Sequence, residues 1–168
     1  MRTRYVFGIA IFALSMMTNA IDDPAAVKAS IQKEMNGYVS AMKKKDLKVV
    51  EKFILANFTP EFKDTDSLGK VRTRQETLDL MKQNIAQLKS VDKMELSITS
   101  IKVAGNTATT SEHMVLEATI PSAEPTKTSK LSVDSIWIGT YVKKGAKWLC
   151  TTSKTTKEKV LIDGKPIG

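Results

Sequence analysis

The chain has 168 residues and a formal net charge of +8 at pH 7, with 26 Lys and Arg against 18 Asp and Glu. Hydrophobic residues make up 42% and charged residues 26%, which is typical of a globular protein and excludes a disordered tail or a membrane bundle. One His and one Cys exclude a tetrahedral zinc site built on those residues and an internal disulfide framework. The eight glycines match no phosphate-binding fingerprint. We therefore expect neither a metal nor a cofactor.

Residues 1–20 have the layout of a secretory signal peptide. Two arginines precede an apolar run from Tyr5 to Met17, and the small-residue ending TNA follows at 18–20. The alternative is a membrane anchor, but the run is shorter than the roughly 20 residues that a spanning helix needs. We expect cleavage after Ala20 and export to the periplasm or the outside, with no membrane anchor afterwards and with residues 21–168 as a single domain.

The excess of basic residues is partly local. Lys43, Lys44 and Lys45 end the first predicted helix, where cations suit the helix dipole. Four more basic residues follow in the next polar segment, at Lys63, Lys70, Arg72 and Arg74. No aromatic residues are interleaved with them, as a base-stacking surface would require. The pattern favours a solvated face, and no nucleic-acid partner is expected.

The first half of the chain predicts three helices. The first begins at Asp22-Asp23-Pro24, where a carboxylate can cap the helix and proline suits the first turn. Its apolar stripe is Val27, Ile31, Met35, Tyr38 and Met42. Asp46 is placed to cap a second helix, which must end before Pro60.

A polar segment separates the second helix from the third. Thr59 to Val71 is irregular and predicts a loop or a short strand. Thr73 and Glu76 then form a capping box. The third helix follows from it, with its own amphipathic stripe.

The second half of the chain predicts long strands joined by tight turns. Met94, Leu96 and Ile98 alternate, and the parity has changed by Ile101, which predicts a bulge near residues 99–100. Further strands are expected over 107–120, 131–142 and 147–156, and a last hairpin around 163–164. This order predicts an α+β fold, with N-terminal helices packed on the concave face of a strongly curved antiparallel sheet.

Several segments lie in an order and spacing that are typical of one known superfamily. They are Tyr38-Val39-Ser40-Ala41-Met42 with Asp46-Leu47, Val50 and Phe53, then Asp66-Ser67-Leu68-Gly69, Asp134-Ser135-Ile136-Trp137 and Lys144-Gly145-Ala146-Lys147-Trp148. Over residues 25–157 the chain resembles the nuclear transport factor two-like superfamily, which includes SnoaL-like cyclases and ketosteroid isomerases. The resemblance implies a cone-shaped domain with a largely apolar pocket at its open end.

The resemblance also implies a set of site residues. Ketosteroid isomerases use a carboxylate base beside an oxyanion hole made of a Tyr and a protonated Asp. In this chain Tyr38 falls at the oxyanion tyrosine position, Asp66 at the base position and Asp134 at the protonated aspartate position. Each also has a structural interpretation, as a core tyrosine, a turn-forming carboxylate and an acceptor for a neighbouring strand or for Trp137. The candidate ligand-binding residues are Tyr38, Met42, Phe58, Met114 and Trp137.

Strand alternation adds three expectations that do not depend on the resemblance. Met114 lies on the more apolar face of its strand and His113 on the other, which favours an outward or rim imidazole over a pocket acid or base. Asp134 and Trp137 have opposite parity, so only one of them should line the cone. Cys150 shares a face with a tryptophan two residues earlier, which favours a buried structural thiol.

Three hypotheses for function follow. The leading one is an exported binding or accessory module whose pocket holds a small, mostly apolar ligand. The second is an isomerase or cyclase that acts by enolisation, with Asp66 as base and with Tyr38 and Asp134 as donors. The third is an interaction module that forms a homodimer through the exposed face of the sheet. Whether any reaction is catalysed stays open at this point.

Overall fold

The computed structural model describes residues 22–122, 124 and 126–167. In chain order the elements are α1 (Pro24–Lys43), α2 (Leu47–Asn57), β1 (Phe58–Thr65), β2 (Val71–Thr73), α3 (Arg74–Gln87), β3 (Ser90–Ala104), β4 (Thr107–Pro121), β5 (Thr128–Lys144), β6 (Lys147–Ile162) and β7 (Lys165–Pro166). The predicted signal peptide lies outside the described residues. Among those residues, none of the helices combines the length and the hydropathy that a membrane crossing requires.

The three helices begin where the sequence predicts. The Asp23 carboxylate accepts a hydrogen bond from the Ala25 amide, and Pro24 occupies the first turn of α1. Asp46 caps α2 in the same way, and Thr73 with Glu76 forms the complete capping box of α3. Helix α2 ends at Asn57, ahead of the proline that cannot continue it.

The strands form one open, seven-stranded sheet in the order β2-β1-β6-β5-β4-β3, with β7 beside β6. The α+β fold is as predicted, and all pairs are antiparallel except β1 with β6, which is parallel. Strand β1 follows α2 directly and pairs with a strand that comes far later in the chain. The segment 59–71 therefore contains a strand, which is one of the two predicted alternatives.

Two predicted strands are longer in the structure, β5 by a few residues at each end and β6 by more at its C-terminal end. Strand β6 continues to Ile162, although a strand ending at Thr156 is predicted. The extra residues are rich in lysine, and their side chains give no alternation of apolar and polar residues that would mark a strand. They are extended because they pair with the first part of β5, from Ile136 back to Leu131.

The edge strand β3 carries the predicted bulge. Its register against β4 shifts between Ile98 and Ser100. On the side away from β4, the Gln32 amide of α1 donates to the Leu96 carbonyl at 2.8 Å and accepts from the Ile98 amide at 2.9 Å. A single side chain thus joins the first helix to the edge of the sheet.

The core lies between the helices and the concave face of the sheet. The predicted stripe of α1 is buried along its whole length, from Val27 to Met42, and packs mainly against β3. Side chains from β3, β4, β5 and β6 that point the same way complete this core, including Met94, Ala118, Tyr141 and Trp148. The core does not fill the whole of this space.

Candidate functional site

A cavity of about 960 Å³ lies between the helices and the concave face of the sheet. Its walls are mainly aromatic rings, aliphatic side chains and thioethers, including Met94, Leu96, Leu116 and Trp148. Along one wall the ring centroids of Tyr38 and Phe53 lie 5.0 Å apart, those of Phe53 and Phe58 6.1 Å, and those of Phe58 and Phe62 4.4 Å. Such ring pairs give a large and rigid apolar surface. The volume matches cavities that hold drug-sized organic molecules.

The five predicted ligand-binding residues all line this cavity. Tyr38 and Met42 reach it from α1, Phe58 from the start of β1, Met114 from β4 and Trp137 from β5. Burial raises the pKa of Tyr38 from the ordinary 10 to about 12, so its hydroxyl stays a neutral hydrogen-bonding group even in moderately alkaline solution. The placement of these residues suits a binding role, and their contact with a ligand stays a prediction.

Asp66 lies at the edge of the cavity and organises a turn. Its carboxylate accepts hydrogen bonds from the amides of Leu68 and Lys70, at 3.0 and 2.9 Å, and from the Arg72 guanidinium at 2.6 Å. The guanidinium and the two amides lower the pKa of Asp66. A carboxylate held in this way is a weak base, which favours the turn-forming interpretation over the catalytic one.

Asp134 lies on the outer face of the sheet, and its assignment to the pocket is wrong. Its side chain is 58% exposed and is not among the residues that line the cavity. One carboxylate oxygen lies 2.8 Å from Nε2 of His113, which faces outward as strand alternation predicts. The reason is the regular pairing of β4 with β5, which turns Asp134 outward and Trp137 inward. Tyr38, Asp66 and Asp134 therefore do not converge in one cavity.

Glu112 is the carboxyl group that the structure places inside the cavity instead. It is only 2% exposed. One carboxylate oxygen accepts from the Thr110 hydroxyl at 2.5 Å and from the Tyr141 hydroxyl at 2.7 Å. The other accepts from the indole N–H of Trp137. The pKa of Glu112 is raised overall, because burial raises it by more than these three hydrogen bonds lower it.

The pairing of β4 with β5 builds this cluster. Glu112 is opposite Trp137, and two residues away Thr110 is opposite Gly139. A Cβ at Gly139 would lie 2.6 Å from the Glu112 carboxylate oxygen and 2.8 Å from both the Thr110 hydroxyl and the Tyr141 ring. The missing side chain therefore makes the space that the carboxyl group occupies.

Glu112 is not among the predicted site residues, although the sequence contains a signal for it. Glu112 shares its parity with Met114 and Leu116, so it belongs to the apolar face of β4. A glutamate on such a face must find hydrogen-bond partners or a cation, since an unpaired buried charge is costly. An ionisable residue in step with an apolar stripe is therefore a candidate for a site.

A second carboxyl group, that of Asp64, is partly buried in the cavity wall. The pKa of Asp64 is raised overall: burial is the largest cause, and the Arg72 guanidinium 3.8 Å away offsets only part of it. The nearby carboxylates of Asp66 and Glu158 raise it further, and a hydrogen bond from Ser153 lowers it. Asp64 thus shares a guanidinium that lies closer to Asp66.

The charges around the cavity differ in sign from the chain as a whole. The chain has an excess of bases. Among the described residues that line the cavity, acids outnumber bases: Glu34, Asp64, Asp66, Glu112 and Glu158 against Arg72 and Lys147. The cavity is therefore mostly apolar, with an acidic character where it is polar.

Cys150 is a buried thiol in the cavity wall, as predicted. Burial raises its pKa, and the neighbouring Glu112 carboxyl adds to the shift. A thiol of this kind is unreactive, because the thiolate is the nucleophile. Within the part of the chain that the structure describes, no three His, Cys, Asp or Glu side chains are grouped to hold a metal ion.

Comparison with known proteins gives a family and a fold. A family model described as "Putative lumazine-binding" matches residues 26–120, more than half of the chain. A comparison with curated proteins finds no match.

Solved structures of several bacterial proteins are similar. A conserved protein from Planctomyces limnophilus has a TM-score of 0.63 and 14% identity, covering 85% of this chain and 99% of its own. A protein from Novosphingobium aromaticivorans described as "Putative Scytalone Dehydratase" has a TM-score of 0.61 and 14% identity, covering 77% of this chain and 84% of its own. A nuclear transport factor 2 (NTF2-like) superfamily protein from Salmonella enterica has a TM-score of 0.57 and 16% identity, covering 80% of this chain and 92% of its own. At these identities the likeness shows the fold alone. The chain thus has the nuclear transport factor two-like cone fold, and it belongs to the family described as "Putative lumazine-binding".

Proposed function

We propose that this protein binds a small, mostly apolar ligand in the cavity between its helices and its sheet. The observation that carries the proposal is the cavity itself, about 960 Å³ in volume, with aromatic and thioether walls and a few polar groups. The family description supports it, since lumazine is a small bicyclic aromatic molecule with polar edges. Preformed cavities of this kind bind by burying apolar surface and fix orientation through a few hydrogen bonds.

Two substitutions at neighbouring residues test this proposal. Met114 lines the cavity, whereas the adjacent Val115 has the opposite parity and does not. Met114→Trp should fill part of the cavity and weaken binding of the neutral fluorescent dye Nile red about tenfold or more, whereas Val115→Trp should leave it unchanged. Lumazine is the second probe, and titration calorimetry on the purified full chain measures its binding.

Two results would contradict the binding function. One is that the unmodified protein binds neither probe at millimolar concentration. The other is that both tryptophan variants weaken binding equally, which would place the dye outside the cavity. Native mass spectrometry of protein purified without denaturant adds an independent measurement, because a bound ligand would appear as added mass.

A proton-transfer reaction is a second candidate, and Glu112 is the observation that favours it. A buried carboxyl group whose pKa is raised is a suitable general acid or base. In isomerisation of a β,γ-unsaturated ketone it would take a proton from the α carbon and return one to the γ carbon. The conjugated product absorbs in the ultraviolet, so a rate in the unmodified protein that Glu112→Gln abolishes and Asp134→Asn retains would support this candidate. No rate above buffer would refute it.

Export and dimerisation are further parts of the proposal. We expect the mature chain to begin at Ile21, which N-terminal sequencing of protein secreted by a bacterial host would test. A mature chain that keeps residues 1–20 would contradict export by a cleaved signal. Light scattering at micromolar concentration tests the homodimer, and a mass equal to one chain would contradict it.

A further inference from the structure

Four strands place Asp64 and Gly139 in one row across the concave face of the sheet. In the register, Asp64 of β1 pairs with Ser153 of β6, Ser153 pairs with Gly139 of β5, and Gly139 pairs with Thr110 of β4. Neighbouring strands lie roughly 4.8 Å apart, so Asp64 and Gly139 are about 10 Å apart at their Cα atoms. Ser153 lies between them and lines the cavity.

The carboxyl group of Glu112 extends into this row. It occupies the space above Gly139, 2.6 Å from where a Cβ would be. Asp64 and Glu112 therefore flank Ser153, one carboxyl group on each side of it. Both side chains line the cavity.

Among the described residues, Glu112 forms no ion pair, and Asp64 only shares the Arg72 guanidinium with Asp66. The partners of Glu112 are the neutral donors of Thr110, Trp137 and Tyr141. Arg72 lies 2.6 Å from Asp66 but 3.8 Å from Asp64, so its charge is directed mainly to Asp66. Two carboxyl groups in an apolar cavity without full compensation gain most from a cation placed between them.

We propose that the ligand of this cavity is an apolar amine whose ammonium group lies over Ser153, between Asp64 and Glu112. This inference rests on the proposed binding function and specifies its ligand class. The ammonium group would form charge-assisted hydrogen bonds with one or both carboxylates. The apolar part would contact the aromatic wall that runs from Tyr38 to Phe62. An organic anion would be repelled, because both polar ends of the row are acidic.

The test compares three probes that share one apolar tail. They are 4-phenylbutylamine, 4-phenylbutan-1-ol and 4-phenylbutanoate, titrated into the purified full chain at pH 7 by calorimetry. We expect the amine to bind about tenfold more tightly than the alcohol, and the alcohol more tightly than the carboxylate. An alcohol that binds as tightly as the amine would overturn the inference.

Variants locate the ammonium group. Asp64→Asn and Glu112→Gln should each remove most of the roughly tenfold preference for the amine over the alcohol, measured in each variant as the ratio of the two affinities. Asp134→Asn is the matched control on the outer face and should change neither value. If Glu112→Gln fails to fold, Asp64→Asn and the three-probe comparison on the unmodified chain still decide the matter.

The outcomes separate this inference from the function on which it rests. If none of the three probes binds and Nile red does not bind either, the binding function itself fails. If Nile red and the alcohol bind but the amine shows no preference, the cavity binds ligands and only the amine inference fails. An amine preference that survives both Asp64→Asn and Glu112→Gln would also overturn it, because the cation would then lie elsewhere.

Discussion

Glu112 and His113 are neighbours in one strand and lie on opposite faces of the sheet. On the concave face the Glu112 carboxyl group is almost fully buried and accepts from three neutral donors. On the outer face Asp134 bonds His113 while most of its side chain remains in water. In each case a carboxyl group contacts a ring nitrogen across β4 and β5: Glu112 contacts Trp137, and Asp134 contacts His113. Water solvates only the outer pair. Burial rather than residue type therefore decides which pair belongs to the candidate site.

Removing the inner carboxyl group should have the largest effect. Glu112→Ala leaves the donors of Thr110, Trp137 and Tyr141 without their acceptor and opens extra space, so we expect a loss of about 3 kcal/mol in the free energy of unfolding. Urea denaturation measures this loss. A loss below about 1 kcal/mol would show that water replaces the carboxylate, and the comparison between the two faces would then fail.

Closing the space beside Glu112 should have the next largest effect. Gly139→Ala places a methyl group within 2.8 Å of three side-chain atoms, so we expect a loss of about 2 kcal/mol in the free energy of unfolding and weaker ligand binding. Gly37 in α1 is the matched control, since a Cβ there would meet nothing within 4 Å. Gly37→Ala should stabilise the protein by about 0.5–1 kcal/mol, because alanine is the better helix former. Equal changes in the free energy of unfolding for Gly139→Ala and Gly37→Ala would contradict steric crowding at Gly139.

The pH dependence of stability should distinguish the two kinds of carboxyl group. Glu112 has a raised pKa in the folded protein, so the folded state holds the proton more tightly than the unfolded chain and stability falls as pH rises above the ordinary value of 4.5. Relative to Glu112→Gln, the unmodified protein should therefore lose stability from pH 4.5 upward. Urea denaturation between pH 3 and 8 measures both proteins.

Asp66 provides the opposite case in the same titration. Its lowered pKa makes the unfolded chain hold the proton more tightly, so its contribution is present above the ordinary value of 3.8 and is lost as pH falls through the lower folded pKa. The advantage of the unmodified protein over Asp66→Asn should thus decrease only in acid. The same sign for both variants would contradict the contrast in burial.

The smallest effect is expected on the outer face. Asp134→Ala removes an exposed partner of His113, and exposed pairs of this kind contribute little, so the free energy of unfolding should change by less than about 0.5 kcal/mol. Nile red binding should not change. A larger loss of either would indicate that the outer face contributes to the site.

Local patterns in the sequence predict the helix starts, the bulge in β3 and the outward direction of His113, because caps and alternation depend on neighbouring residues. The resemblance predicts the fold, but it assigned Asp134 by residue type, whereas parity already separated Asp134 from Trp137. Glu112 is absent from the predicted set because glutamate is rarely buried and its partners on β5 lie 25 and 29 residues away. The parallel pairing of β1 with β6 and the space above Gly139 likewise depend on contacts distant in sequence.

The side-chain amide of Gln32 bears on whether two molecules can aggregate through the edges of their sheets. It offers β3 one donor and one acceptor in the positions that a peptide unit of another strand would use. An unpaired edge is a template onto which a second molecule can add a strand, and this edge is already occupied at Leu96 and Ile98. At the other end of the sheet, β2 is only three residues long. Each margin of the sheet thus has a feature that hinders edge-to-edge aggregation: the Gln32 amide blocks the middle of β3, and β2 is too short to pair with a long strand.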